Sequence, residues 1–398
     1  MMRIATRINR LGTETAFAVS AEAAAFAAQG NTVYPFHLGD LNMPTPSTVV
    51  EGSFRAIQDG KTGYNPSAGI PQLREALAAN VSATHGVEYG LENVVMQPGG
   101  KPTIGKFLMT LMEAGDEVLY PNPGFPIYES QIEFQGGEAV PYGYIEEADG
   151  FSLDLDGIEA SITDKTRLLI FNDLQNPMGV ESPPGEHERL AELVLEHDLY
   201  VLADEAYFDM RYSGSTRSFV EQPGMAERTV ILYTFSKKFA MTGWRLGASI
   251  GPKDVVDVIA KINVNDESCP NHFIQYGALA GLEGDQSEVH AMIDTLRERR
   301  DAAAAILDGI EGVTCFTPES TFYLWPNVTG LMQSKGLDDY EDFRRAALHA
   351  TGVSFCSRIH FGRPSPDEQN RYIRFAYSGI GTSEIEEGLA KFKAWSES

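Results

Sequence analysis

The sequence predicts an α/β fold, with a mostly parallel central sheet covered by helices on both faces and a smaller α+β domain. Short apolar segments alternate with longer amphipathic ones through the middle of the chain, as in a sheet built with right-handed helical crossovers. Several of the short segments are apolar almost throughout, which is typical of strands buried on both faces. The length of 398 residues exceeds what one hydrophobic core usually supports, so we expect two domains.

The first part of the chain predicts a leading helix and then the alternating elements of the sheet. The leading helix is expected over 14–29. Apolar side chains recur at helical spacing in two later segments, 102–113 and 187–197, which we expect to be crossover helices. The predicted strands are 94–96, 117–120, 167–172, 199–204, 229–234 and 246–250.

The composition changes near residue 284, where a loop precedes a long charged helix predicted over 287–308. The elements expected after it are a strand at 322–326, a helix at 338–350, a strand at 373–378 and a helix at 383–395. We therefore predict three parts: an N-terminal segment (1–45) that joins the small domain, a large ligand-binding domain (46–284) and a small C-terminal domain (285–398).

The formal net charge of −25 argues against nucleic acid or an anionic membrane as a partner, because long-range repulsion opposes both. The cysteines Cys269, Cys315 and Cys356 are widely spaced, so neither a disulfide framework nor a metal site is predicted, and we expect a cytoplasmic protein. No run of about 18 apolar residues suggests a membrane-spanning helix.

The segment YTFSKKFAMTGWRLG at 233–247 follows a predicted strand and carries two hydroxyls, Thr234 and Ser236, with Lys237 and Arg245 close by. Hydroxyls and a guanidinium suit a phosphate, because they donate hydrogen bonds to its oxygens. A lysine beside them suits either the same phosphate or covalent chemistry with a carbonyl. The segment alone leaves both interpretations open.

A glycine turn and two other strand ends bring polar groups to the same edge of the predicted sheet. Gly99 and Gly100 follow a strand and precede a helix, where backbone N–H groups can bind an anion, although a plain turn is the alternative. Asp204 and Asn172 each end an apolar strand, and ligands of parallel sheets bind at those ends. A carboxylate at such a place needs a cationic partner, unless it only caps a helix.

Familiar nucleotide and metal motifs do not fit. Arg55 stands where a Walker loop ending at Gly60–Thr62 needs its first glycine, and Ala191 stands where HExxH needs its second histidine. The strand ends together offer a phosphate site, a lysine for a carbonyl and a carboxylate for a protonated ring nitrogen. Pyridoxal 5'-phosphate has the matching groups: a phosphate, an aldehyde and a pyridine nitrogen.

These residues also carry a resemblance that covers nearly the whole chain. TFSKKFAMTGWRLG is similar to the S-x-S-K-x-x-x-x-x-G-x-R-x-G motif of the fold-type I, class I/II aminotransferases. NPMG at 176–179 resembles the family's N-P-x-G, and DEAY at 204–207 resembles its D-x-x-Y. The resemblance implies the pyridoxal-phosphate-dependent transferase type I fold and an aminotransferase activity.

The resemblance also assigns a cofactor site. It implies that Lys237 binds the cofactor aldehyde covalently, that Asp204 contacts the pyridine nitrogen, and that Asn176 and Tyr207 lie near the phenolic oxygen. The PGGKPT and PNPGFPIYE segments resemble the parts that bind the phosphate through backbone N–H groups and stack on the ring. The residues implied for these contacts are Gly100 and Lys101 in the turn, Thr234, Ser236 and Arg245 on the phosphate, and Phe125 on the ring.

The remaining assignments concern the substrate and a second subunit. YIRFAYS resembles the strand whose arginine, here Arg374, binds the substrate α-carboxylate, and HLGDLNMPTP resembles the loop that places Gly39 against the substrate. Phe125 and Asn176 are expected to border the substrate too. GYNPSAG resembles the segment whose tyrosine, here Tyr64, reaches the phosphate of the neighbouring subunit, which implies a homodimer with shared active sites.

We therefore expect an enzyme that moves an amino group from an aspartate-type or broad range of L-amino acids to a 2-oxo acid such as 2-oxoglutarate, with ping-pong kinetics. The substrate loop departs from the family at 40–43, so alanine or aromatic donors stay open. Also open are a C–S lyase or ACC-synthase-like enzyme and a non-catalytic regulatory protein on the same scaffold. The arginines considered for a second substrate carboxylate are Arg7, Arg10, Arg211, Arg358 and Arg363.

Overall fold

The computed structural model of the chain describes residues 2–12, 15–148 and 150–398. Residue 14, where the predicted leading helix starts, lies outside them, and the helix itself begins at Ala16. The strands are β1 Tyr34–Pro35, β2 Val94–Gln97, β3 Glu117–Pro121, β4 Glu138–Tyr142, β5 Tyr144–Glu147, β6 Gly150–Leu153, β7 Thr166–Phe171, β8 Tyr200–Asp204, β9 Thr229–Thr234, β10 Gly247–Ile250, β11 Tyr323–Leu324, β12 Val353–Ser354, β13 Cys356–Ser357 and β14 Ile373–Ala376.

The helices alternate with these strands through the middle of the chain and dominate its C-terminal part. They are α1 Ala16–Ala27, α2 Ser47–Gln58, α3 Pro71–His85, α4 Lys101–Leu111, α5 Ile127–Gln135, α6 Leu155–Ser161, α7 Pro184–Glu196, α8 Phe235–Lys238, α9 Lys253–Asp266, α10 His272–Glu283, α11 Ser287–Asp308, α12 Thr329–Ser334, α13 Tyr340–Thr351 and α14 Thr382–Ser396. None of the described helices is long and apolar enough to cross a membrane.

The central sheet has seven strands in the order β2-β10-β9-β8-β7-β3-β4. All neighbouring pairs run parallel except the two that involve β10, which is antiparallel to β2 and to β9. The α/β fold class with a mostly parallel sheet is thus confirmed. Within the central sheet, the strand that the prediction missed is β4, an edge strand that contains a proline and is partly exposed, so it lacks an apolar run.

Helices cover both faces of the sheet because the strands present apolar side chains on both. In β9, Val230 and Leu232 pack into one core with α4 and α9, whereas Ile231 and Tyr233 pack into another with α2, α3 and α10. Side chains along a strand alternate between the faces, so a continuous apolar run supplies both cores. Parallel pairing of β7 with β8 and of β8 with β9 places their carboxyl ends at one edge of the sheet.

The C-terminal part forms a separate three-stranded antiparallel sheet in the order β11-β14-β13, packed with α11, α13 and α14. The N-terminal strand β1 pairs in parallel with β12, so the segment that leads to Gly39 is attached to this C-terminal part. The predicted division at residues 45 and 284 remains a prediction.

Candidate active site

A cavity of about 640 Å³ opens at the carboxyl edge of the central sheet. Every residue that the sequence predicted for the site lies on its wall, apart from Tyr64. These residues are Gly39, Gly100, Lys101, Phe125, Asn176, Asp204, Tyr207, Thr234, Ser236, Lys237, Arg245 and Arg374. A volume of this size fits a small organic ligand together with a second small molecule.

Lys237 reaches the cavity because β9 ends at Thr234 and the short helix α8 begins immediately after it. The Thr234 side chain caps that helix by accepting from the backbone N–H of Ser236. The Nζ atom of Lys237 donates to the carbonyl oxygen of Gly39 at 3.0 Å and lies 5.1 Å from the ring centre of Phe322. The carbonyl oxygen and the aromatic face together hold the amine at the cavity wall.

Gly39 must be a glycine for a steric reason. A Cβ atom at this position would overlap the phenol of Tyr323, and the nearest overlap is with its hydroxyl. The tyrosine hydroxyl lies 2.6 Å from that of Tyr207, so the two phenols form one buried hydrogen-bonded pair on the cavity wall. A larger residue at 39 would displace this pair.

Asp204 is the last residue of β8 and is only 6% exposed. Tyr128 donates its hydroxyl to Oδ2 at 2.6 Å, and the backbone N–H of Ala206 donates to Oδ1 at 3.1 Å. Burial raises the pKa of Asp204 to about 6, although these two hydrogen bonds act in the opposite direction. A bound cation would therefore relieve a carboxylate that its surroundings disfavour.

Arg374 in β14 is held by three kinds of contact. One NH2 group donates to Oδ1 of Asn176 at 2.8 Å, and the other donates to the carbonyl oxygen of His37 at 3.0 Å. The guanidinium lies 4.4 Å from the ring centre of Tyr323 and 4.5 Å from that of Phe361. Its Nε is buried and makes no hydrogen bond with the described residues, so the group still has a donor to offer.

A second cluster of donors lies on another part of the wall. The hydroxyl of Thr234 donates to that of Ser236 at 2.9 Å, and both line the cavity with Arg245. Arg245 donates to the carbonyl oxygen of Thr242 at 2.8 Å, which fixes its guanidinium. Such a set of donors suits an anion with several oxygens, such as a phosphate.

The glycine turn adds the N-terminus of α4 to this cluster. Gly99 has φ +100°, and a Cβ atom there would overlap the guanidinium of Arg245. A Cβ atom at Gly100 would come within 2.8 Å of a methyl group of Leu232. The backbone thus approaches the anion site more closely than any other residue type allows. Beyond the turn, Nζ of Lys101 lies 5.5 Å from the ring centre of Phe125.

The family model "Aminotransferase class I and II" matches residues 34–392. The chain belongs to this family. It is 32% identical to the aspartate aminotransferase of Musicola paradisiaca (strain Ech703) over 381 residues, which cover 95% of this chain and 93% of that protein. It is 29% identical to the aspartate aminotransferase of Bacillus subtilis (strain 168) over 400 residues, which cover 100% and 99% of the two chains.

Among solved structures, the chain is similar to the aspartate aminotransferase from Thermus thermophilus with maleate. The TM-score is 0.90 at 29% identity, and the match covers 99% of this chain and 100% of that one. The protein is therefore an aminotransferase of the type I fold, as the sequence motifs predicted.

Tyr64 lies outside the cavity of this aminotransferase chain. It follows α2 in a turn and is 90% exposed, which is unusual for a tyrosine. The predicted role of Tyr64 on a neighbouring subunit remains a prediction that a single chain does not test.

None of the five arginines considered for a second substrate carboxylate lines the cavity among the described residues. Three of them make ion pairs elsewhere in the aminotransferase: Arg211 with Glu181, Arg358 with Glu368, and Arg363 with Glu129 and Glu133. Arg7 and Arg10 are exposed. The cationic side chains on the cavity wall are Lys101, Lys237, Arg245 and Arg374.

Two tyrosines of the site were missed or misjudged from the sequence. No sequence motif predicted a contact between Tyr128 and Asp204, yet the tyrosine hydroxyl donates to that carboxylate. Tyr323 was read only as part of a strand, yet it contacts Gly39, Tyr207 and Arg374. The local signal was present for Tyr128, since it lies three residues after Phe125 and so on the same side of the start of α5.

Proposed function

We propose that this aminotransferase binds pyridoxal 5'-phosphate and transfers the amino group of an aspartate-type or broad range of L-amino acids to a 2-oxo acid such as 2-oxoglutarate. The observation that carries the proposal is the arrangement of one cavity. A lysine amine, a buried carboxylate and a cluster of hydroxyls with an arginine share its wall (Lys237, Asp204, Thr234, Ser236 and Arg245).

The residues present fit this cofactor. The glycine turn leaves no room for a Cβ atom beside Arg245, which matches a phosphate bound closely by backbone N–H groups. The pKa of Asp204 is raised by burial, so a protonated ring nitrogen would supply the missing cation. Phe125 lines the same cavity and offers a ring face for stacking.

When bound, pyridoxal phosphate supplies an aldehyde for the amino group and a ring that accepts electrons from the substrate Cα. Lys237 would hold the cofactor through its Nζ and, once the substrate has displaced it, would serve as the general base for the Cα proton. Asp204 would keep the ring nitrogen protonated, and Tyr207 and Asn176 would hold the phenolic oxygen. We expect ping-pong kinetics, because the donor and the 2-oxo acid would use the same site in turn.

Arg374 binds the substrate α-carboxylate in this proposal. Its guanidinium is buried between two aromatic rings and retains an unbonded Nε among the described residues, so a carboxylate has a donor to meet. A planar guanidinium also binds a carboxylate through two parallel hydrogen bonds, which fixes the orientation of the substrate.

The second carboxylate of an aspartate-type substrate needs another cation on the wall. Lys101 is a cationic side chain on this wall, and its Nζ lies 5.5 Å from the ring centre of Phe125, a residue expected to border the substrate. The relatives support a dicarboxylate substrate. Two similar proteins are named aspartate aminotransferases, and the similar Thermus structure is described with maleate. We assign the distal carboxylate to Nζ of Lys101.

The exposure of Tyr64 supports a second subunit at the active site. Its ring is exposed on a turn outside its own cavity, which suits a contact with the phosphate bound by a neighbouring chain. We propose a homodimer with shared active sites that works in the cytoplasm on small-molecule substrates.

The half-reaction with each common amino acid tests the proposal. The purified protein with pyridoxal phosphate is mixed with one amino acid at a time, and the conversion of the bound cofactor is followed by absorbance. We expect the greatest rates with aspartate and glutamate. Fast conversion with alanine or aromatic amino acids alone would reassign the donor, and release of pyruvate and ammonia without amino transfer would indicate a lyase instead.

A further inference from the structure

A buried histidine–glutamate pair lies directly behind Asp204. Glu205 does not line the active-site cavity that Asp204 lines; it borders a separate void of about 10 Å³. Its Oε2 lies 2.7 Å from Nε2 of His85, the last residue of α3. Both side chains are buried, at 9% and 2% exposure. The sequence motifs used for the active site assign no role to either residue.

Both ring nitrogens of His85 have an oxygen partner. Nε2 lies 2.7 Å from Oε2 of Glu205, and Nδ1 lies 2.8 Å from the hydroxyl of Thr84, which is also 2.9 Å from the carbonyl oxygen of Asn80. Glu205 also accepts from the hydroxyl of Ser218. This arrangement accommodates an imidazolium beside a carboxylate.

The surroundings are consistent with this charge state. Burial alone would lower the pKa of His85, but the charges of Glu205, Asp209 and Glu221 raise it. The position at the C-terminus of a helix also favours a cation. Asp209 is itself paired with Lys238, 2.8 Å away.

Other charged groups also face Glu205 and Asp204. Arg217 and Asp173 border the same small void as Glu205. Asp204 receives hydrogen bonds from Tyr128 and Ala206 and is attracted by Lys237. Its sequence neighbour Glu205 acts in the opposite direction, because a like charge disfavours the ionised form.

We propose that His85 and Glu205 are positioning residues for Asp204: their buried ion pair fixes the turn after β8 and sets the charge balance behind the catalytic carboxylate. The ring of His85 stacks on Phe208 in that turn, with ring centres 4.1 Å apart, so the pair also braces the segment that carries Tyr207. The inference rests on the proposed contact between Asp204 and the cofactor ring nitrogen.

The two partners are expected to act in opposite directions. In His85→Gln the charge of Glu205 loses its compensation, and the pKa of Asp204 rises. In Glu205→Gln the like charge beside Asp204 is removed, and the pKa of Asp204 falls. A pair that serves only packing would lower stability in both variants and would leave the titration of Asp204 unchanged.

The test is the pH dependence of pyridoxamine 5'-phosphate binding to the full-length, cofactor-depleted protein, measured by quenching of intrinsic fluorescence between pH 5 and 9. Asp204 must be ionised to bind the ring nitrogen, so affinity falls as pH drops through its pKa. The ligand phosphate titrates near pH 6 as well. The wild type and each variant are therefore compared with the same protein carrying Asp204→Asn in addition. The ratio of the two affinities at each pH isolates the contribution of the Asp204 carboxylate.

We expect the midpoint of this ratio to rise by about one pH unit in His85→Gln and to fall in Glu205→Gln. The double variant is expected near the wild-type value. Equal midpoints in wild type and both single variants, or shifts in the same direction, would overturn the proposal. If His85→Gln does not fold, Glu205→Gln decides alone, since an unchanged midpoint contradicts the inference.

His187→Gln is the matched control. His187 is also buried and lies 2.8 Å from a carboxylate, that of Asp173, but this pair does not adjoin Asp204 in sequence. We expect its midpoint to shift less than that of His85→Gln, because Asp173 borders the void of Glu205 but is not adjacent to Asp204 in sequence. An upward shift equal to that of His85→Gln would overturn the proposal. Failure of the wild-type protein to bind pyridoxamine phosphate at any pH would instead reject the proposed function itself.

Discussion

Asp204 shows how one residue can serve a ligand at the expense of the unliganded fold. Its carboxylate is buried beside a like charge, and the hydrogen bonds from Tyr128 and Ala206 offset only part of the burial. The protein keeps an acid whose ionised form is fully stabilised only when a cation arrives. Asn172 supports the arrangement by donating to the backbone oxygen of Asp204 at 2.8 Å.

Because burial disfavours the ionised carboxylate, we expect Asp204→Asn to stabilise the cofactor-depleted protein by an amount that depends on pH. The pKa of Asp204 is about 6 in the folded protein, whereas its ordinary value is 3.8. The free energy of unfolding therefore falls as the pH rises from about 4 to 6, and the decrease stays constant above that range. Asparagine avoids the loss. We expect the variant to be more stable than wild type by roughly 2–3 kcal/mol at pH 8 and by less at pH 5.

Urea unfolding at the two pH values measures the difference. The same variant is expected to lose activity by about 100-fold or more, because the ring nitrogen is no longer held protonated. A variant that is no more stable than wild type at pH 8 would contradict the assigned environment of Asp204.

Lys237 and Lys238 offer a direct comparison of neighbouring lysines. Lys237 lines the cavity, whereas Lys238 pairs with Asp209 at 2.8 Å. We expect Lys237→Ala to reduce transamination by at least about 100-fold, since the general base is lost, and Lys238→Ala to stay within a few fold of wild type. Steady-state rates with aspartate and 2-oxoglutarate give the result, and comparable losses in the two variants would refute the assignment.

At the scale of elements, the turn before α4 carries a specific requirement for glycine. Gly99→Ala places a Cβ atom against the guanidinium of Arg245 and forces alanine to φ +100°. We expect cofactor affinity to fall by about tenfold or more, because the turn and the arginine separate. Affinity is read from the absorbance of bound cofactor during titration.

Gly115→Ala controls for the strained backbone alone. Gly115 has φ +93°, yet a Cβ atom there meets nothing within 4 Å. We expect this variant to lose stability while binding the cofactor normally. Equal losses of affinity in the two variants would show that backbone strain, and not the contact with Arg245, is responsible.

The elements that the sequence predicted well are those with an unambiguous pattern. The long charged helix expected at 287–308 has these bounds in α11, and the apolar run at 229–234 is β9. The strand expected at 322–326 is only Tyr323–Leu324, because the following proline interrupts the pairing. β4 escaped notice since an exposed edge strand has no continuous apolar run.

The site residues that the sequence predicted are also those with a clear local pattern. Asp204, Asn172 and the cluster after β9 were predictable because strand ends in parallel sheets converge, so sequence position implies spatial proximity. Tyr323 reaches the cavity from a strand of the C-terminal sheet. Its contact with Gly39 depends on how distant parts of the chain pack, and local periodicity carries no information about that.

At the scale of the whole molecule, the proposed role of Tyr64 predicts that two impaired chains together form one intact site in a hybrid dimer. In a hybrid of Lys237→Ala and Tyr64→Ala chains, one site has an intact lysine and receives an intact tyrosine from its neighbour, while the other site has both defects. Differently tagged chains allow the hybrid to be purified. At limiting cofactor, we expect it to show about half the activity of wild type.

Each parent dimer is the control for this experiment. Both are expected to be well below the hybrid, since every site in them carries one defect. A hybrid no more active than the mean of its parents would show that Tyr64 does not act across a subunit boundary.

The pairing of β1 with β12 has a consequence for biosynthesis. Residues 34 and 35 leave the ribosome 319 residues before their partners Val353 and Ser354. We expect the central sheet to form while β1 is still unpaired, so that the β1–β12 pair closes only after residue 354 has emerged. A nascent chain stalled before residue 353 should therefore leave its first 35 residues open to protease.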